Sequence, residues 1–208
     1  KDMKFIPKLG TNKKSINPFS MLSLEDAPER HHLRSKIYAK YRFPQNPISL
    51  PTRPLKRPKR IRIGYFSADF HEHATMHLIL KVLELHDRQK FKIYAYSYGP
   101  TKKDHIRKRL VESVDVFEDV RKMNDKDIAF LAQKDKIDIA VDLKGHTKDQ
   151  RLGIFFYRPA PIQISYLGYP GSTGTNFIDY IIGDPIVIPK NQIDSYTEKI
   201  IYLPNSYQ

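Results

Sequence analysis

Ile61-Arg-Ile-Gly-Tyr-Phe-Ser-Ala-Asp-Phe-His-Glu-His-Ala-Thr-Met-His77 opens the part of the chain whose pattern decides the fold. Ile61 to Ser67 is apolar and β-branched enough to be a strand. Thr75 to His86 repeats its apolar residues at helical spacing. Phe91-Lys-Ile-Tyr-Ala-Tyr-Ser-Tyr98 alternates at period two and reads as a second strand. Strand, helix and strand in that order make a βαβ unit, whose strands are parallel.

The same alternation continues downstream. Helices are expected over Lys103 to Val114 and Asp125 to Lys134, the latter capped by Asn124 or Asp125. Short strands are expected at Val116 to Val120, Ile137 to Leu143, Pro161 to Leu167, Tyr180 to Gly183 and Lys199 to Leu203. Leu152 to Tyr157 reads as a short helix ending before Pro159, and Phe177 to Tyr180 as a helical turn. Ile137-Asp-Ile-Ala-Val-Asp-Leu143 is mostly apolar and is expected to be central. The fold class is therefore α/β: a Rossmann-like, mostly parallel sheet covered on both faces, over residues 61–208.

Residues 1–60 read differently, as a helical arm followed by a proline-rich linker. Asp26-Ala-Pro-Glu29 looks like a helix start, with Asp26 as N-cap and Pro28 in the first turn. The helix runs to about Tyr41 with Leu33, Ile37 and Tyr41 on one stripe, and Phe43 to Lys59 reads as extended.

Composition narrows the function classes. Among 208 residues there is no cysteine, which excludes disulfides, thiolate metal sites and a cysteine nucleophile and fits a cytoplasmic setting. No apolar run approaches the ~20 residues of a membrane span, so no membrane partner is expected. The formal net charge is +13, concentrated in Arg53-Pro-Leu-Lys-Arg-Pro-Lys-Arg60 and in Lys102, Lys103, Arg107, Lys108 and Arg109. Solvated faces in a basic chain explain that balance most simply. Nucleic-acid binding ranks lowest, because no groove-reading or aromatic-studded motif accompanies the charge.

Ligands of a parallel sheet bind beyond the carboxyl ends of its strands. The first such loop carries Asp69 and three histidines, His71, His73 and His77. His73 and His77 have the spacing of a zinc pair but no evident third ligand. The alternatives are a surface loop with incidental histidines, or a ligand-orienting or catalytic histidine. The fourth-strand loop, Asp142-Leu-Lys-Gly-His-Thr-Lys-Asp-Gln-Arg151, sets donors His146, Thr147, Lys148 and Arg151 beside a helix start, with Gly145 for a tight turn. Asp142 either binds loop amides or takes a direct part. Leu167-Gly-Tyr-Pro-Gly-Ser-Thr-Gly-Thr175 adds a third loop, rich in glycine and hydroxyls. None of these is a Walker loop or a GxGxxG fingerprint.

Tyr65-Phe-Ser-Ala-Asp-Phe-x-x-His73, Asp142-Leu-Lys-Gly-His-Thr147, Arg158-Pro-Ala-Pro-Ile-Gln163, Leu167-Gly-Tyr-Pro-Gly171 and Asp179-Tyr-Ile-Ile-x-Asp184 occur in the order of one family. The chain from about residue 15 onward resembles the O-linked N-acetylglucosaminyltransferases, glycosyltransferase family 41, which include the SPINDLY-type O-fucosyltransferases. The resemblance implies the N-terminal lobe of a GT-B fold and an inverting, metal-independent transfer without a cofactor. The donor would be a nucleotide sugar, UDP-N-acetylglucosamine before GDP-fucose, and the acceptor a Ser or Thr of a protein. It implies catalytic roles for His73, Asp142 and His146. Asp69, Gly145, Thr147 and Lys148 would line the substrate site, and Tyr169 and Pro170 would lie near the acceptor. The family's second lobe, which grips the nucleotide, and its tetratricopeptide repeats have no counterpart before Gln208. The expectation is therefore one wall of a cleft, inactive by itself, with a non-catalytic binding module as the alternative.

Overall fold

The computed structural model describes residues 9–11, 16–45 and 58–207, so much of the expected linker, including Arg53 to Arg57, lies outside the described residues. Seven strands form one sheet: β1 (Ile61–Ser67), β2 (Phe91–Ser97), β3 (Val116–Asp119), β4 (Ile139–Asp142), β5 (Ile162–Ser165), β6 (Tyr180–Gly183) and β7 (Lys199–Tyr202). Their order is β3-β2-β1-β4-β5-β6-β7, and every pairing is parallel. The chain lays β2 and β3 to one side of β1, then returns to place β4 on its other side. The topology therefore switches between β1 and β4, where departing loops turn to opposite faces and leave a crevice.

Both faces of the central strands are buried, which is why these strands read as near-continuous apolar runs. Alternate residues of β1 and β2 serve opposite cores. Phe66, Tyr94 and Tyr96 pack with helices α4 (Asp125–Lys134) and α5 (Gly153–Phe156). Ile63, Tyr65, Ile93 and Ala95 pack with α2 (Ala74–Leu85) and α3 (His105–Ser113). On α2 the buried Met76, Ile79, Leu80 and Leu83 repeat at three and four residues, the stripe that drives a helix onto a sheet. Each such side chain contributes roughly 1.5–3 kcal/mol. Among the described residues no helix is long and apolar enough to cross a membrane.

Several expectations need correction. The helix after β2 begins at His105 instead of Lys103, because Asp104 accepts the Arg107 amide as its N-cap at 2.8 Å. Phe177 to Tyr180 is not a helical turn. The Phe177 carbonyl accepts from the side chains of Arg158 and Gln163, and Asp179 from Gln163 N, so these groups are committed across the chain. A 3-10 turn at Lys190–Ser195 has no counterpart in the sequence pattern.

The arm helix α1 (Pro28–Arg42) is capped by Ala27, not Asp26, although Pro28 does open it. Its start is held by charge. Glu25 pairs with Arg30 at 3.0 Å and with the buried Arg34, while its carbonyl meets His31 Nε2 at 2.9 Å. Nor does the expected stripe face inward: Leu33 and Tyr41 are 46% and 68% exposed, and Arg34, Ser35 and Ala39 are buried. The surface beneath is the polar loop before β6, so a small, polar helix face fits it. His32 meets Thr197 at 2.9 Å, and Phe43 stacks on Phe156 at 5.6 Å between ring centroids. The helix packs on the lobe as part of it.

Candidate functional site

The crevice between β1 and β4 brings together the two His-bearing loops. Asp69, 6% exposed, links them: one of its carboxylate oxygens accepts from two groups and lies near a third. Lys144 Nζ reaches it at 2.5 Å, Thr75 Oγ1 at 3.4 Å and His73 Nδ1 at 3.5 Å. Lys144 is itself only 4% exposed, so this ion pair lies under the crevice floor. Sequence reasoning passed over Lys144 in favour of Lys148. Its signal was its place two residues after the strand's last carboxylate, where the chain still points into the fold. Lys148 is exposed.

His73 stands at the crevice rim, its side chain 40% exposed, as the N-cap of α2. Its Nδ1 accepts the Thr75 amide at 3.2 Å, which leaves the proton of the neutral ring on Nε2. Burial lowers its pKa; Lys144, His71 and Lys102 add to that against the pull of Asp69. Neutral His73 thus carries its single ring N–H on Nε2 of a 40% exposed side chain. The zinc pairing finds no geometric support. His77 turns away to pair with Glu72, and among the described residues no group of three or more His, Asp or Glu is arranged around a metal.

Asp142 ends β4 and accepts the amides of Lys144 at 3.0 Å and Gly145 at 2.8 Å. Of the two roles open to it, this is the one the geometry displays. Burial pushes its carboxyl up to about 6, and the two amides and Lys144 pull against that shift. Gly145 has φ +54°, and a Cβ there would come within 2.5 Å of Tyr169 Cβ. Only glycine fits both the backbone and the space. Thr147 closes the turn by donating to the Lys144 carbonyl at 2.8 Å.

His146 is completely buried. Its Nε2 donates to the Thr173 carbonyl at 2.8 Å, and Nδ1 has no hydrogen-bond partner among the described residues. The ring lies edge-on to Tyr38 of α1 and to Tyr169, both at 5.2 Å. Burial lowers its pKa to about 4. A neutral, enclosed imidazole without solvent access fastens loops together and does not line the crevice. Tyr169 is likewise buried, at 1% exposure, whereas Pro170 is exposed and its carbonyl accepts from Tyr196.

The loop over residues 168–175 has an anchor that no sequence pattern marked. Glu198, 4% exposed, accepts the Thr173 amide at 2.8 Å and the Ser172 hydroxyl at 2.7 Å, and meets Thr173 Oγ1 as well. Gly174, at φ +68°, lies so close to the α1 backbone that a Cβ would be 2.3 Å from the Ser35 carbonyl carbon. The motif Arg158 to Gln163 is also structural. Arg158 forks onto Asp179 at 2.9 and 3.0 Å, and Gln163 donates to the Phe155 carbonyl at 3.0 Å.

Known proteins resemble this chain in sequence and in fold. The family model described as glycosyl transferase family 41 matches residues 32–208. The protein named "Probable UDP-N-acetylglucosamine--peptide N-acetylglucosaminyltransferase SEC" from Arabidopsis thaliana is 36% identical over 203 residues, 93% of this chain and 21% of that protein. The UDP-N-acetylglucosamine--peptide N-acetylglucosaminyltransferase of Caenorhabditis elegans is 37% identical over 151 residues, 72% of this chain and 13% of its own. A solved structure of a mutant O-GlcNAc transferase from Thermobaculum terrenum superposes with a TM-score of 0.84 at 30% identity. It covers 97% of this chain and 39% of the other. The chain thus spans about a fifth or less of these two relatives' lengths.

Proposed function

The chain belongs to glycosyl transferase family 41, and from that premise we propose that it is the amino-terminal lobe of an inverting protein O-glycosyltransferase. The donor in this reading is UDP-N-acetylglucosamine, the acceptor a Ser or Thr hydroxyl, and a second lobe closes the crevice. The observation that carries it is the Asp69–Lys144–His73 cluster at the β1/β4 switch point, with a neutral imidazole at the rim carrying its N–H on Nε2.

In a single displacement the acceptor oxygen forms a bond to the anomeric carbon. The carbon–oxygen bond to the diphosphate breaks with its electron pair leaving on the diphosphate oxygen, and the acceptor proton passes to that diphosphate or to water. His73 donates a hydrogen bond to an oxygen of the reacting pair and so orients it, while the Thr75 amide on Nδ1 fixes its ring. Asp142 and His146 act at one remove: Asp142 shapes the turn at Gly145, and His146 ties it to the loop bearing Pro170.

Calorimetry of the 208-residue chain and of the full gene product, with UDP-N-acetylglucosamine and with GDP-fucose, tests the reading. Heat with the uridine donor is expected, and His73→Ala should lower turnover at least about tenfold while the lobe stays folded, losing only the modest stability of a helix cap, about 1 kcal/mol. A full gene product that binds neither donor sinks the proposal. Preference for GDP-fucose moves it to the fucosyl branch.

A further inference from the structure

Beyond the crevice, the segment between β2 and the middle of α3 forms a groove of about 440 Å³ that the mechanism above does not use. Its charges divide into committed and uncommitted ones. Asp104 caps α3 and accepts the Glu72 amide at 2.9 Å. Arg107 reaches the Phe70 carbonyl at 3.1 Å and Ser97 Oγ at 3.2 Å, with its guanidinium over Phe117. His105 turns to Glu72 at 3.5 Å. Lys102, Lys103 and Lys108 line the same groove, exposed, and their side chains make no ion pair or hydrogen bond among the described residues. Glu112 is the one acid lining it that is likewise uncommitted. Val111, 44% exposed, adds an apolar patch where aliphatic stems can rest.

The position matters as much as the charge. β2 is the neighbour of β1, so its outgoing loop lies beside the loop carrying His73, and the charge of Lys102 is felt at His73. A polypeptide with its hydroxyl in the crevice would therefore meet Lys102 first and, along the same groove, Lys103 and Lys108. We propose that the Lys102–Lys103–Lys108 groove is a docking surface for an acidic segment of the acceptor polypeptide, flanking the modified Ser or Thr. This rests on the glycosyltransferase reading for where the hydroxyl lies. Carboxylate side chains suit the groove better than nucleic acid, since no Phe, Tyr or Trp among its lining residues offers a face for a base.

The test is fluorescence anisotropy of two labelled peptides of about ten residues, each with one central Ser, binding the 208-residue chain. One carries Glu on a single flank and the other Gln at the same positions. At low salt the Glu peptide is expected to bind about tenfold tighter, an advantage that collapses near ~0.5 M salt because exposed pairs are screened. The K102S/K103S/K108S variant should bind both peptides equally while keeping its melting temperature. Equal binding of the two peptides by the unaltered chain overturns the proposal, as does a triple variant that still discriminates. Competition by inorganic pyrophosphate or a single-stranded oligonucleotide as effective as the unlabelled Glu peptide at equal charge also overturns it. Donor calorimetry reads the glycosyltransferase assignment separately, so either can fail without the other.

Discussion

Replacing His146 with Gln isolates a pH dependence built into the loop junction. In the folded chain Nε2 donates to the Thr173 carbonyl and Nδ1 lies buried without a partner among the described residues, between Tyr38 and Tyr169. Protonation would put a second N–H, and a charge, where nothing accepts them. The folded pKa is lowered from 6.5 to about 4. Unfolded chains bind that proton near pH 6.5, so His146 leaves stability intact above that pH and erodes it as the pH falls. The drop from pH 6.5 to about 4 amounts to roughly 3 kcal/mol at ~1.4 kcal/mol per unit. Asp142 works in the opposite sense. Its pKa is raised from 3.8 to about 6, so its contribution is present below the unfolded value and lost as the pH rises through about 6. The two partly cancel in the unaltered chain, and the difference between it and H146Q separates them. Gln does not titrate and can still donate to the Thr173 carbonyl. Urea unfolding followed by circular dichroism at intervals between pH 4 and 7 should show the unaltered chain losing about 3 kcal/mol relative to H146Q. A difference that stays flat with pH refutes the buried, unpartnered Nδ1. So does a His146 ring C–H resonance titrating near the ordinary histidine value.

Two further outcomes follow from the same crevice. Gly145→Ala places a methyl group into Tyr169 on a backbone at φ +54°, and should cost at least about 2 kcal/mol by thermal or urea unfolding. Lys144→Met leaves Asp69 buried and unpaired, a loss of roughly 3–5 kcal/mol, and adding Asp69→Asn should restore much of it; a double variant no better than the single one contradicts the pair.

The arm shows why some of this was legible and some was not. Pro28 announced the start of α1, a local matter of φ. Its buried face was misread, since Leu33 and Tyr41 point outward while Arg34 and Ser35 are buried. Apolar spacing predicts a buried stripe when the partner surface is apolar; here it is a loop of serines, threonines and glycines. The same limit hid Glu198 and Lys144. Neither carries a local mark of burial, and each charge is met by groups far along the chain: Ser172 and Thr173 for one, Asp69 for the other.

By itself, the alternation of apolar strands with capped helices determined the α/β class, the parallel sheet and the loops that meet at its carboxyl edge. Those features follow from backbone periodicity and from short-range caps such as Asn124. Only the tertiary structure decided what the histidines do. His73 and His146 both sit in loops after parallel strands, and nothing local distinguishes them. One ends at a rim with its proton on Nε2; the other is enclosed by α1 and the loop before β6, which fold over it from opposite ends of the sequence. Exposure, and with it protonation and chemical role, is a property of what packs on a residue, and those residues lie more than a hundred positions upstream and some twenty-five downstream of His146.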